Sequence, residues 1–537
     1  NVVKKFIEEA SQKGVDVFRI FDSLNWVENM KMPIETALKT GKIVEGTICY
    51  TGDITDPNET KYTLDYYVKK AKELESLGVH IFTIKDMAGL VKPYAAKEII
   101  DRKEKSMKKK LISALKEELN IPVNLHTHDS TGNGVSTLLM ASEAGLDIAD
   151  CAIGSMSSMT SNPCMNSLVE ALKGTERDTG LNPDELTELS QYYARIRPIY
   201  KQFESGMDAP NTEIYKYEIP GGQYSNLLAQ VKEMGAAEDF EEIKGLYKDA
   251  NQLLGNIVKV TPSSKVVGDF AIFMFKNGLT KENILEVGKD LSYPDSVVEY
   301  FEGMIGQPEG GFPEELQKIV LKDKKPIDVR PGSLLPDEDF DYIAKGLKEN
   351  FYMEDPDILS QKTLSYALYP KVYEDYCRHF EAYNDVTGLE SHVYFYGLRK
   401  GEETTLKLDE GKYLIIKFID MTEPDEDGYR LLDFEVNGSI REIKVLDKNL
   451  EVKTDRRVKA DKSNPAHLGS TIPGTVGKVL VNEGDEVTVN MPLMTVEAMK
   501  METTVVSTVN GKVDKIYVKE GEQVNQEDLL ISFEIDE

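Results

Sequence analysis

Ile43-Val-Glu-Gly-Thr-Ile-Cys-Tyr50 runs into Gly52-Asp53, a helical pattern occupies about Leu64 to Leu77, and a second apolar run from Val79 to Ile84 ends in Lys85-Asp86. Short β-branched runs separated by a stretch of period 3.6 read as strand, helix, strand. The same unit extends in both directions. Upstream, Val2, Val3, Phe6, Ile7 and Ala10 recur at helical spacing until Gly14, Val15-Asp-Val-Phe-Arg-Ile-Phe21 reads as a strand ending at Asp22, and a helix lies near Met32 to Thr40. Downstream come a longer helical region, Val123-Asn-Leu125 leading into His126-Thr-His-Asp129, a helix near Val135 to Ala144, and Ile148 to Ile153 before a polar tail, Ser155-Met-Ser-Ser158. Five strands alternating with helices predict a parallel sheet, with ionisable residues gathered at the strand C-termini. A TIM-like (β/α)8 barrel keeps its active site there. Since only five units are present, the expectation is a truncated barrel over residues 1–180, with three further strands before Asn1.

The rest of the chain divides by composition. Residues 181–330 read as a helical extension with polar loops, including the Gly-rich Pro220-Gly-Gly-Gln-Tyr-Ser-Asn226. The stretch PIDVRPGSLLP (326–336) is a boundary signal. Residues 331–452 predict an α+β linking domain, with helices near Asp337 to Lys348 and Lys371 to Tyr383. A β-rich part follows from Val393 to Leu446, with hairpin signals at Asp427-Gly428 and Asn437-Gly438. Residues 453–469 lack periodicity and read as a flexible linker, spanning roughly 20 Å on average and about 50 Å at full stretch. Residues 474–497 (GTVGKVLVNEGDEVTVNMPLMTVE) then reappear at a constant offset as 511–534 (GKVDKIYVKEGEQVNQEDLLISFE), pairing Gly474 with Gly511, Gly484 with Gly521, Val487 with Val524 and Glu497 with Glu534. Two similar halves, neither able to bury its apolar face alone, predict a quasi-twofold all-β domain over 470–537. Lys500, in Glu497-Ala498-Met499-Lys500-Met501, falls just past the first half, at an expected hairpin tip open to a modifying enzyme.

Charge and composition exclude several classes. The 537 residues carry a net charge of −29, which argues against nucleic-acid binding because that needs clustered cations to displace counterions. The basic run Asp101 to Lys110 (DRKEKSMKKK) reads as a solvated helix extension. Four separated cysteines, Cys49, Cys151, Cys164 and Cys377, form no C-x-x-C pair, so neither a disulfide framework nor a thiolate metal site is expected. A reducing, cytoplasmic setting fits. No run of about 18 apolar residues suggests a membrane span, and no signal-like segment opens the chain. Its start at Asn1, directly in a helical pattern, reads as a fragment of something longer.

Two positions carry the chemistry. His126 and His128 lie two apart, so on a strand both imidazoles face one side, an arrangement suited to a divalent ion such as zinc or manganese. A pair of hydrogen-bonding core histidines is the plain alternative. Lys85 ends an apolar strand at the same face, where an ammonium is costly unless paired or altered. A salt bridge to Asp86 or Asp129 is one account. A carbamate formed with CO2, turning the lysine into a carboxylate-like ligand, is the other.

These motifs carry a resemblance. Ala498-Met-Lys-Met501 resembles the signature of biotin carboxyl carrier domains; a lipoyl domain shares the fold but usually carries Asp-Lys-Ala at the tip. Ile84-Lys-Asp-Met-Ala-Gly-Leu90, Leu125-His-Thr-His-Asp129, Pro210-Asn-Thr-Glu-Ile214, Pro220-Gly-Gly-Gln-Tyr-Ser-Asn226 and Val260-Thr-Pro-Ser-Ser-Lys-Val266 resemble the carboxyltransferase domain of the pyruvate carboxylase family. The resemblance implies biotin on Lys500; Lys85 as a carboxylated metal ligand beside His126 and His128; Thr261 as the proton shuttle; and Gln223, Ser264 and Lys265 as the pocket for the biotin ring. Read without it, a threonine in a VTPSS loop caps a helix. The implied reaction is the second half-reaction of pyruvate carboxylation. Carboxybiotin loses CO2 in the barrel mouth, the ureido enolate takes a proton from pyruvate through Thr261, and the pyruvate enolate attacks CO2 to give oxaloacetate.

The resemblance further places an aspartate metal ligand and two substrate-holding arginines on strands before Asn1, which implies impaired turnover by this chain alone. It implies a biotin protein ligase, the biotin carboxylase domain of a longer chain and a homotetramer as partners, with 331–452 similar to the allosteric, tetramerising domain. Two rivals remain: the α-subunit of a sodium-pumping oxaloacetate decarboxylase, and a biotinylated carrier without turnover.

Overall fold

The computed structural model describes all residues except 98, 102–105, 109, 205–206, 208, 352–355, 426, 448–457, 462–463, 499–500 and 536–537. Five parallel strands, β1 (Val17–Ile20), β2 (Ile43–Cys49), β3 (Ile81–Asp86), β4 (Val123–Thr127) and β5 (Ile148–Ala149), pair in chain order. Between them run α1 (Val2–Gln12), α2 (Val27–Lys39), α3 (Leu64–Ser76), α4 (Leu111–Glu118) and α5 (Gly134–Glu143), of which α1 precedes β1. Local chemistry sets these limits. The Thr63 hydroxyl accepts from the Tyr66 amide at the start of α3, supplying a partner to a first-turn donor. Gly78, with φ of 87°, turns the chain toward β3.

Alternation within the strands divides the sheet into two unlike faces. Val44, Ile48, Phe82, Ile84, Val123 and Leu125 are fully buried. They join Ile34, Ala37, Tyr67, Ala71, Leu74, Ile112, Leu115, Leu138 and Ala141 of the helices in one core. The opposite face is polar: Arg19 pairs in register with Glu45, Thr83 with Thr47 and Asn124, and Lys85 with Cys49 and His126.

Several elements differ from the sequence reading. Helix α2 begins at Val27 rather than near Met32, with Pro33 midway along it, where the missing N–H leaves the Asn29 carbonyl without its helical donor. The last strand stops at Ala149 because Ala152 bonds Pro163 instead of continuing along β4. In the basic run, Ile99–Asp101 pairs with Ser106–Lys108 as two short strands rather than a helix extension; residues 102–105 and 109 lie outside the described set. Pro220-Gly-Gly opens a helix, Gly221–Glu233, instead of a loop.

The helical segment forms its own core around Leu227, Ile243, Tyr247, Val267, Phe270, Tyr300 and Phe301. Residues 338–458 make a separate compact unit. In it, helices Phe340–Phe351, Pro356–Leu368 and Pro370–Tyr383 precede the antiparallel strands Glu403–Asp409, Lys412–Met421, Tyr429–Val436 and Ser439–Leu446. Asn437 and Gly438, both at positive φ, make the two-residue turn between the last two. Val393 lies in a short helix, so the β-rich part starts ten residues later, at Glu403.

The C-terminal domain is the duplication made visible. Strands Gly474–Val479, Glu486–Val487 and Pro492–Ala498 recur, each shifted by 37 residues, as Gly511–Ile516, Gln523–Val524 and Leu529–Ile535. Each half lends its short middle strand to the other half's sheet. The shared core follows the same offset: Val476 and Val513, Val487 and Val524, Leu493 and Leu530, Val496 and Phe533. Part of the expected linker is folded onto this domain. Lys459 bridges Asp528, and His467–Gly469 forms a strand on Leu529–Ile535. Among the described residues, no helix is long and apolar enough to cross a membrane.

Candidate functional site

The C-terminal ends of β3 and β4 bring Lys85 and His126 side by side in register. His128 follows, its ring centroid 5.2 Å from that of His126. The two rings are held alike. His126 Nδ1 lies 2.7 Å from Asp150 Oδ2, and His128 Nδ1 lies 2.7 Å from the Thr160 carbonyl. Acceptors at both Nδ1 atoms put the proton there and leave a lone pair on each Nε2. His126 Nε2 is buried with no hydrogen-bond partner among the described residues. Burial, and then the neighbouring His126, push His128 down to about 4, so its ring is neutral at pH 7 and available as a ligand.

Lys85 has neither of the expected carboxylate partners. Asp86 is fully buried and accepts from the amides of Leu90 and Val91 and from the Thr127 hydroxyl. Asp129 accepts from the Gly134 amide. The Lys85 ammonium instead lies 5.3 Å from the centroid of the Phe21 ring. Burial lowers its pKa, with the Arg19 guanidinium acting in the same direction and the Cys49 thiol opposing. A half-buried cation without a carboxylate partner among the described residues, beside two histidines with free Nε2 lone pairs, is the donor set a divalent ion and a carbamylated lysine fit.

Phe21 also connects Lys85 to Thr261. A cavity of about 390 Å³ is lined by Phe21, Asp22, Ser23, Thr261, Pro262 and Met304, among others. The Ser263 hydroxyl, 3.3 Å from the Ser23 carbonyl, fastens the 260–264 segment to the end of β1. Thr261 does not cap the helix Ser263–Lys276, whose N-cap is Pro262 without a side-chain bond. It is exposed, and among the described residues its hydroxyl has no bond. Ser264 is 3% exposed, and the Gln223 amide covers Gly268 one turn further on, so closely that a Cβ there would collide with it. Lys265 leaves this face: its ammonium donates to Asp269, 2.7 Å away. Lys500 and Met499 lie outside the described residues; the strands flanking them pair Ala498 with Met501.

Five residues absent from the sequence-based set belong to the polar face. Arg19 donates to Glu45 (2.8 Å) and to both oxygens of Asp150 (2.5 and 3.2 Å), and Asn124 and Thr83 complete the Glu45 shell. The signal was an arginine and a glutamate inside apolar strands at the same alternation phase. Also unforeseen is Lys259, 3% exposed, bonded to Glu218 at 2.7 Å beside a second cavity of about 270 Å³.

Family models match residues 8–192 (HMGL-like), 214–417 (conserved carboxylase domain) and 465–533 (biotin-requiring enzyme). Pyruvate carboxylase of Bacillus subtilis is 48% identical over 534 residues, 99% of this chain and 45% of that protein. The human mitochondrial pyruvate carboxylase is 39% identical over 537 residues, 99% of this chain and 44% of that protein. The chain thus spans about 45% of the length of these relatives. The carboxyl transferase domain of Rhizobium etli pyruvate carboxylase, solved with pyruvate and biocytin, superposes with a TM-score of 0.77 at 43% identity, over 83% of this chain and 73% of that one. At this identity and coverage, the chain belongs to the pyruvate carboxylase family.

Proposed function

We propose that the chain transfers a carboxyl group carried on biotin to pyruvate, giving oxaloacetate. The observation that carries this reading is the pair of Nδ1-anchored histidines at the strand C-termini, with His126 in register beside Lys85, which has no carboxylate partner among the described residues. His126, His128 and a carboxylated Lys85 would hold a divalent metal, zinc or manganese. When bound, the metal supplies electrostatic stabilisation of the enolate oxygen, and biotin, joined to Lys500, supplies the carboxyl group.

The chain's own groups do the rest. The lowered pKa of Lys85 keeps more of it as free amine. Its Nζ lone pair attacks the carbon of CO2, one N–C bond forms, one proton leaves, and the product is an anionic ligand. Thr261 Oγ1 would relay a proton, accepting one from the pyruvate methyl carbon as it gives up its own to the basic nitrogen that bound biotin would supply. An unperturbed hydroxyl is too weak a base to act alone, so placement carries this step. Gln223, Ser264 and Lys265 are the residues assigned to the ring pocket; Ser264 and the Gln223-covered Gly268 share one helical face, while Lys265 is held by Asp269 on another. The larger assembly comprises a biotin carboxylase domain, a biotin protein ligase that modifies Lys500, and a homotetramer. The cytoplasm is its setting, consistent with four unpaired cysteines. No observation favours the sodium-pumping decarboxylase.

The test is direct. The chain is made with a biotin protein ligase, and its Lys500 peptide is read by tandem mass spectrometry while metal content is measured by plasma emission. Biotin at Lys500 together with about one metal per chain supports the reading. Biotin elsewhere, or a metal-free chain, sinks it.

A further inference from the structure

Asp150 stands between the metal-facing histidine and the only arginine on the polar face of the described sheet. The register of β4 and β5 pairs Leu125 with Ala149, and the Asp150 amide donates to the Leu125 carbonyl. Its carboxylate therefore arrives beside His126. Both Arg19 Nη1 (2.5 Å) and His126 Nδ1 (2.7 Å) meet the same oxygen, Oδ2. Oδ1 is taken by Arg19 Nη2 and by the Asn124 amide, each at 3.2 Å. Arginine has no acceptor. A proton-free Nδ1 would face the carboxylate lone pair on lone pair, with Arg19 Nη1 3.4 Å away.

We infer that Asp150 is a positioning residue of the metal centre: it accepts the His126 Nδ1 proton and thereby holds the ring in the tautomer whose Nε2 carries the lone pair. This rests on the metal reading proposed above. Arg19 in turn fixes the carboxylate, and it is itself braced by Glu45 at the middle of the sheet. His128 receives the same service from a backbone carbonyl, at Thr160. That partner is beyond the reach of a side-chain substitution, so His126 is the ring whose orientation can be changed genetically.

The inference is tested by titrating the full chain with Co2+ against a chromophoric chelator, for the unsubstituted chain, Asp150→Asn, His126→Ala and the double variant. Asp150→Asn should weaken Co2+ binding by about 10- to 100-fold and shift the d–d absorption bands. It should weaken binding no further in the His126→Ala background. Equal affinities for Asp150→Asn and the unsubstituted chain overturn the assignment. An additive loss in both backgrounds also overturns it, since a general structural defect would not depend on His126. No Co2+ binding by the unsubstituted chain overturns the metal reading and this inference with it. A measurement without any variant keeps the inference exposed if Asp150→Asn does not fold. The side-chain 15N shifts of histidine-labelled chain should show a protonated Nδ1 and a bare Nε2 for His126, and the reverse pattern refutes it.

Discussion

Replacing Thr261 by alanine should separate catalysis from folding almost completely. The residue is exposed, caps nothing and has no hydroxyl partner among the described residues, so removing its Oγ1 and methyl should change stability by less than about 0.5 kcal/mol. If the hydroxyl relays the proton, the loss in rate is that of a positioned acid–base group, about 10²- to 10⁴-fold. At 1.36 kcal/mol per decade, that is roughly 2.7 to 5.4 kcal/mol of barrier. The predicted effect on the reaction therefore exceeds the predicted effect on the fold by at least about fivefold. The assay is biotin-dependent decarboxylation of oxaloacetate, followed as pyruvate with lactate dehydrogenase, alongside thermal unfolding of the same preparations. Thr261→Ser should recover most of the rate because it restores the oxygen, and Thr261→Val should not, although it restores the volume. A valine variant as active as the serine variant would refute the relay, since shape alone would then suffice.

Lys85→Met should stabilise the metal-stripped chain near neutral pH. Burial depresses the Lys85 pKa below 10.5, so the unfolded chain binds more protons than the folded one between the two values, and folding stability rises with pH across that window. The methionine advantage is full below the depressed pKa and fades toward pH 10.5. Chemical denaturation at several pH values checks the sign, and a difference that grows with pH contradicts it. In the C-terminal domain, Leu493→Ala and Leu530→Ala remove fully buried side chains at equivalent places in the two halves. Each should cost about 2.7 to 5 kcal/mol, in near-equal measure, as read from the unfolding transition of that domain. A large asymmetry between the two would argue against the shared core.

Much of the catalytic region was legible in one dimension. The strand–helix alternation located the sheet, and the His-x-His parity correctly put both rings on one face. The helices Leu64–Ser76 and Pro370–Tyr383 fall within a residue of their expected limits. What failed has definite causes. Pro33 hid the first turns of α2, and the short strand His467–Gly469 has too few residues to show a period. The salt bridge offered for Lys85 failed because Asp86 and Asp129 were judged by nearness in sequence, whereas their oxygens satisfy backbone amides at the strand ends.

The sequence alone determined what depends on neighbours along the chain. That includes the alternation of strands and helices and the duplicated half-domain, whose offset of 37 residues reappears in the limits of three strand pairs. It also includes the peptide around Lys500. The tertiary structure decided which partner each polar group takes. Arg19 and Asp150 are 131 residues apart, and Arg19 and His126 are 107 apart. No periodicity couples such positions. Only the parallel register of β1 through β5 sets them on one face, where the Asp150 carboxylate meets both Arg19 and His126 Nδ1 and so selects the tautomer of that ring.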